Sequence, residues 1–163
     1  MISSFFTSVF IRAPFASPTG SMFPFLATSA AQKFMRIGYQ TTASADFDSQ
    51  LIALSQMSES DALICISHSG RTRNVCNLAK IAHEQGIKVI SITNFPGSAL
   101  AKHSDIVLLT ASFAYDVMDE VLAKRVPSLC LLDILYISIL MKKQKDIQPL
   151  LDKGNDYLRL NKN

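Results

Sequence analysis

Five consecutive apolar residues, Ala62-Leu63-Ile64-Cys65-Ile66, run straight into Ser67-His68-Ser69-Gly70-Arg71-Thr72, and this junction restricts the folds open to the chain more than any other stretch. An uninterrupted apolar run suits a strand covered on both faces, as the central strands of parallel sheets are. Val75, Leu78, Ala79 and Ala82 follow at helical spacing as far as Gly86, so the strand feeds an amphipathic helix that opens at Ser69 or Thr72. A helix N-terminus leaves its first amide N–H groups without intrahelical partners and carries the positive end of the helix dipole. Hydroxyls, a histidine and a glycine gathered at such a place suit an anion, above all a phosphate.

The strand-then-helix pattern repeats on both sides of this junction. Val89-Ile90-Ser91-Ile92-Thr93 reads as a strand, Asn94-Phe95-Pro96-Gly97 as a turn, and Ser98 as the cap of a short helix to about His103, with a further strand over 106–110. Upstream, residues 25–37 place Leu26, Ala30, Phe34 and Ile37 at helical spacing before a stop at Gly38; 39–43 is β-prone, and 46–57 is helical through Phe47, Leu51, Leu54 and Met57. Residues 8–11 are a strand candidate, followed by a loop over 13–21 rich in Pro, Gly and Ser. Such alternation predicts an α/β protein, a three-layer α/β/α sandwich on a mainly parallel five-stranded sheet.

From 116 to 142 the pattern becomes one long helix, apolar nearly all round between Leu129 and Met141, in which Pro127 either makes a kink or marks the true start. A helix without a clear polar face needs partners on more than one side, which predicts a homo-oligomer formed through it. In the tail, 147–160, leucines recur but Gly154 weakens the helical pattern. The organisation expected is an irregular segment over 1–20, one domain over 21–145, and a partly helical tail over 146–163.

A chain of 163 residues fits a single domain with a sizeable core. Its net charge of +3 is dispersed, which favours a small anionic ligand over nucleic acid or an anionic membrane surface. Three cysteines without a CxxC pair, two of them (Cys65 and Cys130) inside apolar segments, fit a reduced, cytoplasmic setting. No basic region precedes the apolar start and Arg12 interrupts it, so no secretory signal is expected. The apolar run 126–141 contains Pro127 and Asp133 and is shorter than the ~20 residues of a membrane span. Neither a metal nor another cofactor is expected.

Other loop chemistries fail on spacing. GxxxxGK[ST] is missing, no GxGxxG follows a strand, and Ser69 lacks the flanking glycines of a nucleophile elbow. Pattern alone leaves two readings of 67–72 open, a phosphate cradle and a turn that merely caps a helix. For proton transfer the candidates are His68, Asp119 and Glu120, yet Glu120 better suits a solvated carboxylate in a first helical turn. His83 and His103 read as structural, and no catalytic residue is assigned.

Phe34-Met35-Arg36-Ile37-Gly38, Asp61 through Thr72, Val89-Ile90-Ser91-Ile92-Thr93-Asn94 and Leu100 through Leu109 together resemble the SIS (sugar isomerase) domain, specifically the effector domain of RpiR-type transcription regulators. The resemblance covers about residues 25–142. It implies a flavodoxin-like sandwich whose S-x-S-G-x-T loop, here Ser67, His68, Ser69, Gly70 and Thr72, holds the phosphate of a sugar phosphate. It also implies a second ligand hydroxyl from the first loop, here Ser21, and an arginine, here Arg125, that assists the ligand anion. The function implied is a non-catalytic phosphosugar sensor; a sugar-phosphate aldose-ketose isomerase and a degenerate dimerisation module are the alternatives. Regulators of this type carry a helix-turn-helix domain, and no stretch before residue 25 reads as one, so this chain is expected not to bind DNA by itself.

Overall fold

The computed structural model describes residues 11–12, 23–44, 46–111 and 117–162. In chain order the elements are β1 (Ile11–Arg12), α1 (Phe23–Arg36), β2 (Thr41–Thr42), α2 (Phe47–Ser55), β3 (Ala62–Ile66), α3 (Arg73–Glu84), β4 (Lys88–Thr93), α4 (Ala99–Lys102), β5 (Ile106–Leu109), α5 (Val117–Lys142) and α6 (Gln144–Arg159), with a 3₁₀ turn over Leu160–Lys162. All strand pairs are parallel, in the order β2-β1-β3-β4-β5. β3, β4 and β5 form the body of the sheet, while β1 and β2 extend one edge by two residues each.

β3 is buried along its whole length because helices cover both of its faces. Its side chains alternate between two cores. Ala62, Ile64 and Ile66 join Ile90 and Ile92 of β4 in a cluster with Leu26, Ala27, Ala30 and Phe34 of α1, Leu132 and Ile139 of α5, and Ile147 of α6. Leu63 and Cys65 join Val89 in the other cluster, with Leu54 of α2, Leu100 of α4, and Val75, Leu78, Ala79 and Ala82 of α3. The layers are therefore α1, α5 and α6, then the sheet, then α2, α3 and α4. The stop expected at Gly38 is present: the residue has a φ of +91°, Tyr39 N–H donates to Phe34 O, and the two rings meet edge to face.

Several expectations change. Pro127 lies inside α5, which starts ten residues earlier at Val117, and so it does not mark the helix start. Proline removes a single backbone donor, and the burial of Ser128, Leu132 and Ile139 anchors the helix beyond it. Gly154 does not break the tail. α6 runs through both Pro149 and Gly154, because a glycine costs only about 1 kcal/mol in a helix while Ile147 is buried in the core and Arg36 donates to Asn155. Cys130 is exposed in the chain, unlike Cys65, although both lie in apolar sequence. The strand expected over 8–11 is represented by Ile11 and Arg12; residues 1–10 lie outside the described set. Among the described residues no helix is long and apolar enough to cross a membrane.

Candidate functional site

The strand order places β1 beside β3, and successive strands are laid down in opposite directions from that point. In open parallel sheets such a reversal opens a crevice beyond the carboxyl ends of the strands, because the loops on either side of it diverge. The loop after β3 is one wall. Residues 13–22, which follow β1, lie outside the described residues, and Ser21 with them.

The loop from Ser67 to Thr72 brings the remaining serine, histidine, glycine and threonine candidates together. Ser67 is buried at its base, its Oγ lies 3.0 Å from Thr72 Oγ1, and its N–H donates to Ile92 O. Thr72 occupies the cap position of α3 with extended backbone but makes no side-chain cap bond, since its hydroxyl is turned to Ser67. The first-turn amides of α3 thus keep their donor capacity. Ser69 is exposed, and its Oγ accepts a long 3.3 Å bond from Arg71 N–H. His68 is half-buried, with its ring edge-on to Phe95 at 6.0 Å between centroids.

Gly70 has a φ of +60°, and a Cβ there would lie 2.2 Å from Ser98 Oγ and 2.3 Å from Ser98 Cβ. Gly70, having no side chain, makes room for Ser98. Its carbonyl accepts from Leu100 N–H at 3.0 Å and from Cys76 Sγ at 3.4 Å. Burial pushes the Cys76 thiol up, which keeps it protonated and able to donate there. Burial, and to a lesser degree the neighbouring Cys76, also drives the Cys65 thiol up.

Chemically the loop offers hydroxyl and amide donors beside Arg71 and the first residue of α3, Arg73, and neither 67–72 nor 93–98 contains a carboxylate. That is a setting for an anion, with hydrogen bonds to charged oxygens stronger than neutral ones. Arg125 lies in the first part of α5, half-buried and engaged in an interaction of its own. Asp119 and Glu120 fall in the first turn of that helix. His83 is half-exposed, 3.9 Å from Asp105 Oδ2, and His103 closes α4, both away from residues 67–72 in the chain. Among the described residues no three His, Cys, Asp or Glu side chains cluster as a metal site.

Sequence reasoning gave no site role to the loop after β4. Thr93 Oγ1 and Asn94 N–H both donate to His68 O, at 3.1 and 3.0 Å, and Thr110 Oγ1 donates to Asn94 Oδ1. The carboxyl ends of β3, β4 and β5 are thereby tied in one chain. The signal was present in the βα repeat, since Thr93-Asn94 stand at the carboxyl end of β4 as Ser67-His68 do at that of β3.

Known proteins agree with this geometry. The SIS domain family model matches residues 19–129. An uncharacterised HTH-type transcriptional regulator of Thermotoga maritima is 35% identical over 125 residues, covering 77% of this chain and 45% of the relative. The HTH-type transcriptional regulator RpiR of Escherichia coli is 30% identical over 107 residues, covering 66% of this chain and 36% of its own. The chain thus spans less than half the length of either regulator. Vibrio vulnificus NanR, solved in complex with ManNAc-6P, superposes with a TM-score of 0.81 at 23% identity, over 93% of this chain and 56% of that one, a likeness of fold. With the family model covering more than half of its length, over the strand-loop-helix units just described, the chain belongs to the SIS domain family.

Proposed function

We propose that this domain binds a sugar phosphate as the non-catalytic sensor or effector part of an RpiR-type transcription regulator. The observation that carries the reading is the loop after β3, where Thr72 leaves the amides of α3 uncapped and aligns its hydroxyl with Ser67. Ser67, Ser69 and Thr72 would supply hydroxyls, and the amides from Gly70 onward the remaining donors, to the phosphate oxygens. His68 borders the sugar, Ser21 completes the cradle from the loop after β1, and Arg125 assists with charge. RpiR-type relatives support the regulatory role, and the ManNAc-6P complex of NanR supports a phosphorylated sugar as the ligand class.

Binding without turnover is favoured because the loops after β3 and β4 hold no carboxylate to move a proton between sugar carbons. In this reading the domain runs over 21–145, its sheet has five strands, it works in the cytoplasm, and DNA contact is the task of a separate segment. It self-associates through α5, where Val126, Cys130, Ile134, Ile137 and Met141 are exposed at successive steps of four, four, three and four, which keeps them on one face of the helix.

Purified protein incubated with a panel of aldose and ketose phosphates tests the function. A rise in melting temperature with one or a few of them and no interconversion is the expected result. Interconversion at enzymatic rates would replace the sensor with an isomerase.

A further inference from the structure

The loop from Ser67 to Thr72 holds its shape through the segment behind it, and one buried side chain sits at the junction. Thr93, the last residue of β4, is fully buried. Its Oγ1 donates to His68 O at 3.1 Å, accepts from Phe95 N–H at 3.4 Å, and lies 2.9 Å from where a Cβ on Gly70 would stand. One hydroxyl thus touches the second and fourth residues of the loop and the turn that leads to Ser98. The flanking bonds, Asn94 N–H to His68 O and Leu100 N–H to Gly70 O, are backbone contacts open to any residue type. The Thr93 hydroxyl is a side-chain bond in this brace, so it can be removed without altering the backbone.

We propose that Thr93 is a positioning residue for the anion loop: its hydroxyl fixes the carbonyl of His68, which orients the His68–Ser69 peptide and so aims Ser69 and the helix amides at the phosphate. The inference rests on the phosphosugar reading of the loop, but the brace has a ligand-free consequence. With the hydroxyl gone, His68 O loses the donor that Thr93 supplies, and the loop samples more orientations. The β-branched side chain allows a clean separation, because valine keeps the shape without the hydroxyl and serine keeps the hydroxyl without the methyl.

The test compares wild type, Thr93→Val and Thr93→Ser by titration with inorganic phosphate and with fructose 6-phosphate, by thermal melting, and by amide hydrogen exchange of the ligand-free protein. Thr93→Val should weaken phosphate binding by about fivefold and raise exchange over 67–72 by a similar factor, with Thr93→Ser within about twofold of wild type in both, as expected for one net hydrogen bond. Melting temperature should rank the other way, Thr93→Ser below Thr93→Val, because serine loses packing volume in the core. Affinity and exchange that follow melting temperature would make Thr93 a merely structural residue and overturn the proposal. If wild type binds neither probe, the phosphosugar reading falls, and the exchange over 67–72 alone decides whether Thr93 braces the loop.

Discussion

The two ends of the sheet use their polar residues in opposite ways. At the amino end, carboxylates close local circuits. Asp61, just before β3, accepts from Ser58 N–H and Oγ, and Asp105, just before β5, accepts from Val89 N–H and from Lys88 Nζ, both at 2.9 Å. At the carboxyl end the loops after β3 and β4 have no carboxylate; the hydroxyls of Ser67 and Thr72 bond each other, and that of Thr93 bonds a carbonyl of the adjacent loop. A carboxylate is an acceptor only, so the amino end satisfies backbone donors and cations internally. Hydroxyls bonded to one another, and helix-terminal amides left uncapped, can be recruited by an incoming anion. Structure is secured at one end, and on the proposed reading anion recognition is left to the other.

The sharpest way to break this division is to damage the end meant for recognition and ask whether the fold suffers too. Gly70→Ala forces a side chain into left-handed backbone and into Ser98. The backbone conformation costs of order 1–3 kcal/mol and the overpacking a similar amount. Stability in urea should therefore fall by roughly 2–6 kcal/mol, with phosphosugar binding lost as well. The double variant with Ser98→Gly should recover part of that stability, and no recovery would sever the proposed contact.

Ser69→Ala and Thr72→Ala probe the same end without strain. Neither hydroxyl caps α3, so urea stability should change by less than about 0.5 kcal/mol for the exposed Ser69→Ala, and fall by about 1 kcal/mol for Thr72→Ala, which takes a partner from buried Ser67. Phosphosugar affinity should drop by roughly tenfold or more in each, as expected for a hydrogen bond to a charged oxygen. Unchanged affinity in both would remove the anion cradle. Asp105→Ala is the converse. It strands the N–H of buried Val89, so stability should fall by about 1–3 kcal/mol while calorimetric affinity for the same sugar phosphate stays at the wild-type value.

The layer order and the helices that build it were legible because the apolar residues repeat at the periods of buried elements: Ala62 to Ile66 without a break, Val75, Leu78, Ala79 and Ala82 at helical steps. The position of the loop over 67–72 was legible for the same reason, since a strand end and a helix start bound it. What stayed hidden depended on contacts between segments distant in sequence. Gly70 answers to Ser98, and His68 to Thr93 and Asn94, across about 25 residues. No local pattern records such pairs. The continuity of α6 through Gly154 was hidden likewise, because the burial of Ile147 that supports it belongs to the α1 side of the core.

The smallest effect expected is on acid stability, and it separates the two ends by their chemistry. Burial alone would raise the Asp105 carboxyl, but the bond from Val89 N–H, the bond and charge of Lys88, and the nearby His83 outweigh it and hold the group below the ordinary aspartate range. A carboxyl lowered in the folded state contributes stability when ionised above its unfolded value, and that contribution is lost as pH falls through the folded value. Asp105→Asn keeps an acceptor for Val89 while removing the charge. The stability difference between wild type and Asp105→Asn in urea should therefore be constant near neutrality and shrink as pH drops below about 4. A difference that persists unchanged into acid would mean that the Asp105 charge contributes nothing, leaving the hydrogen bond to Val89 as the whole of its role at the amino end.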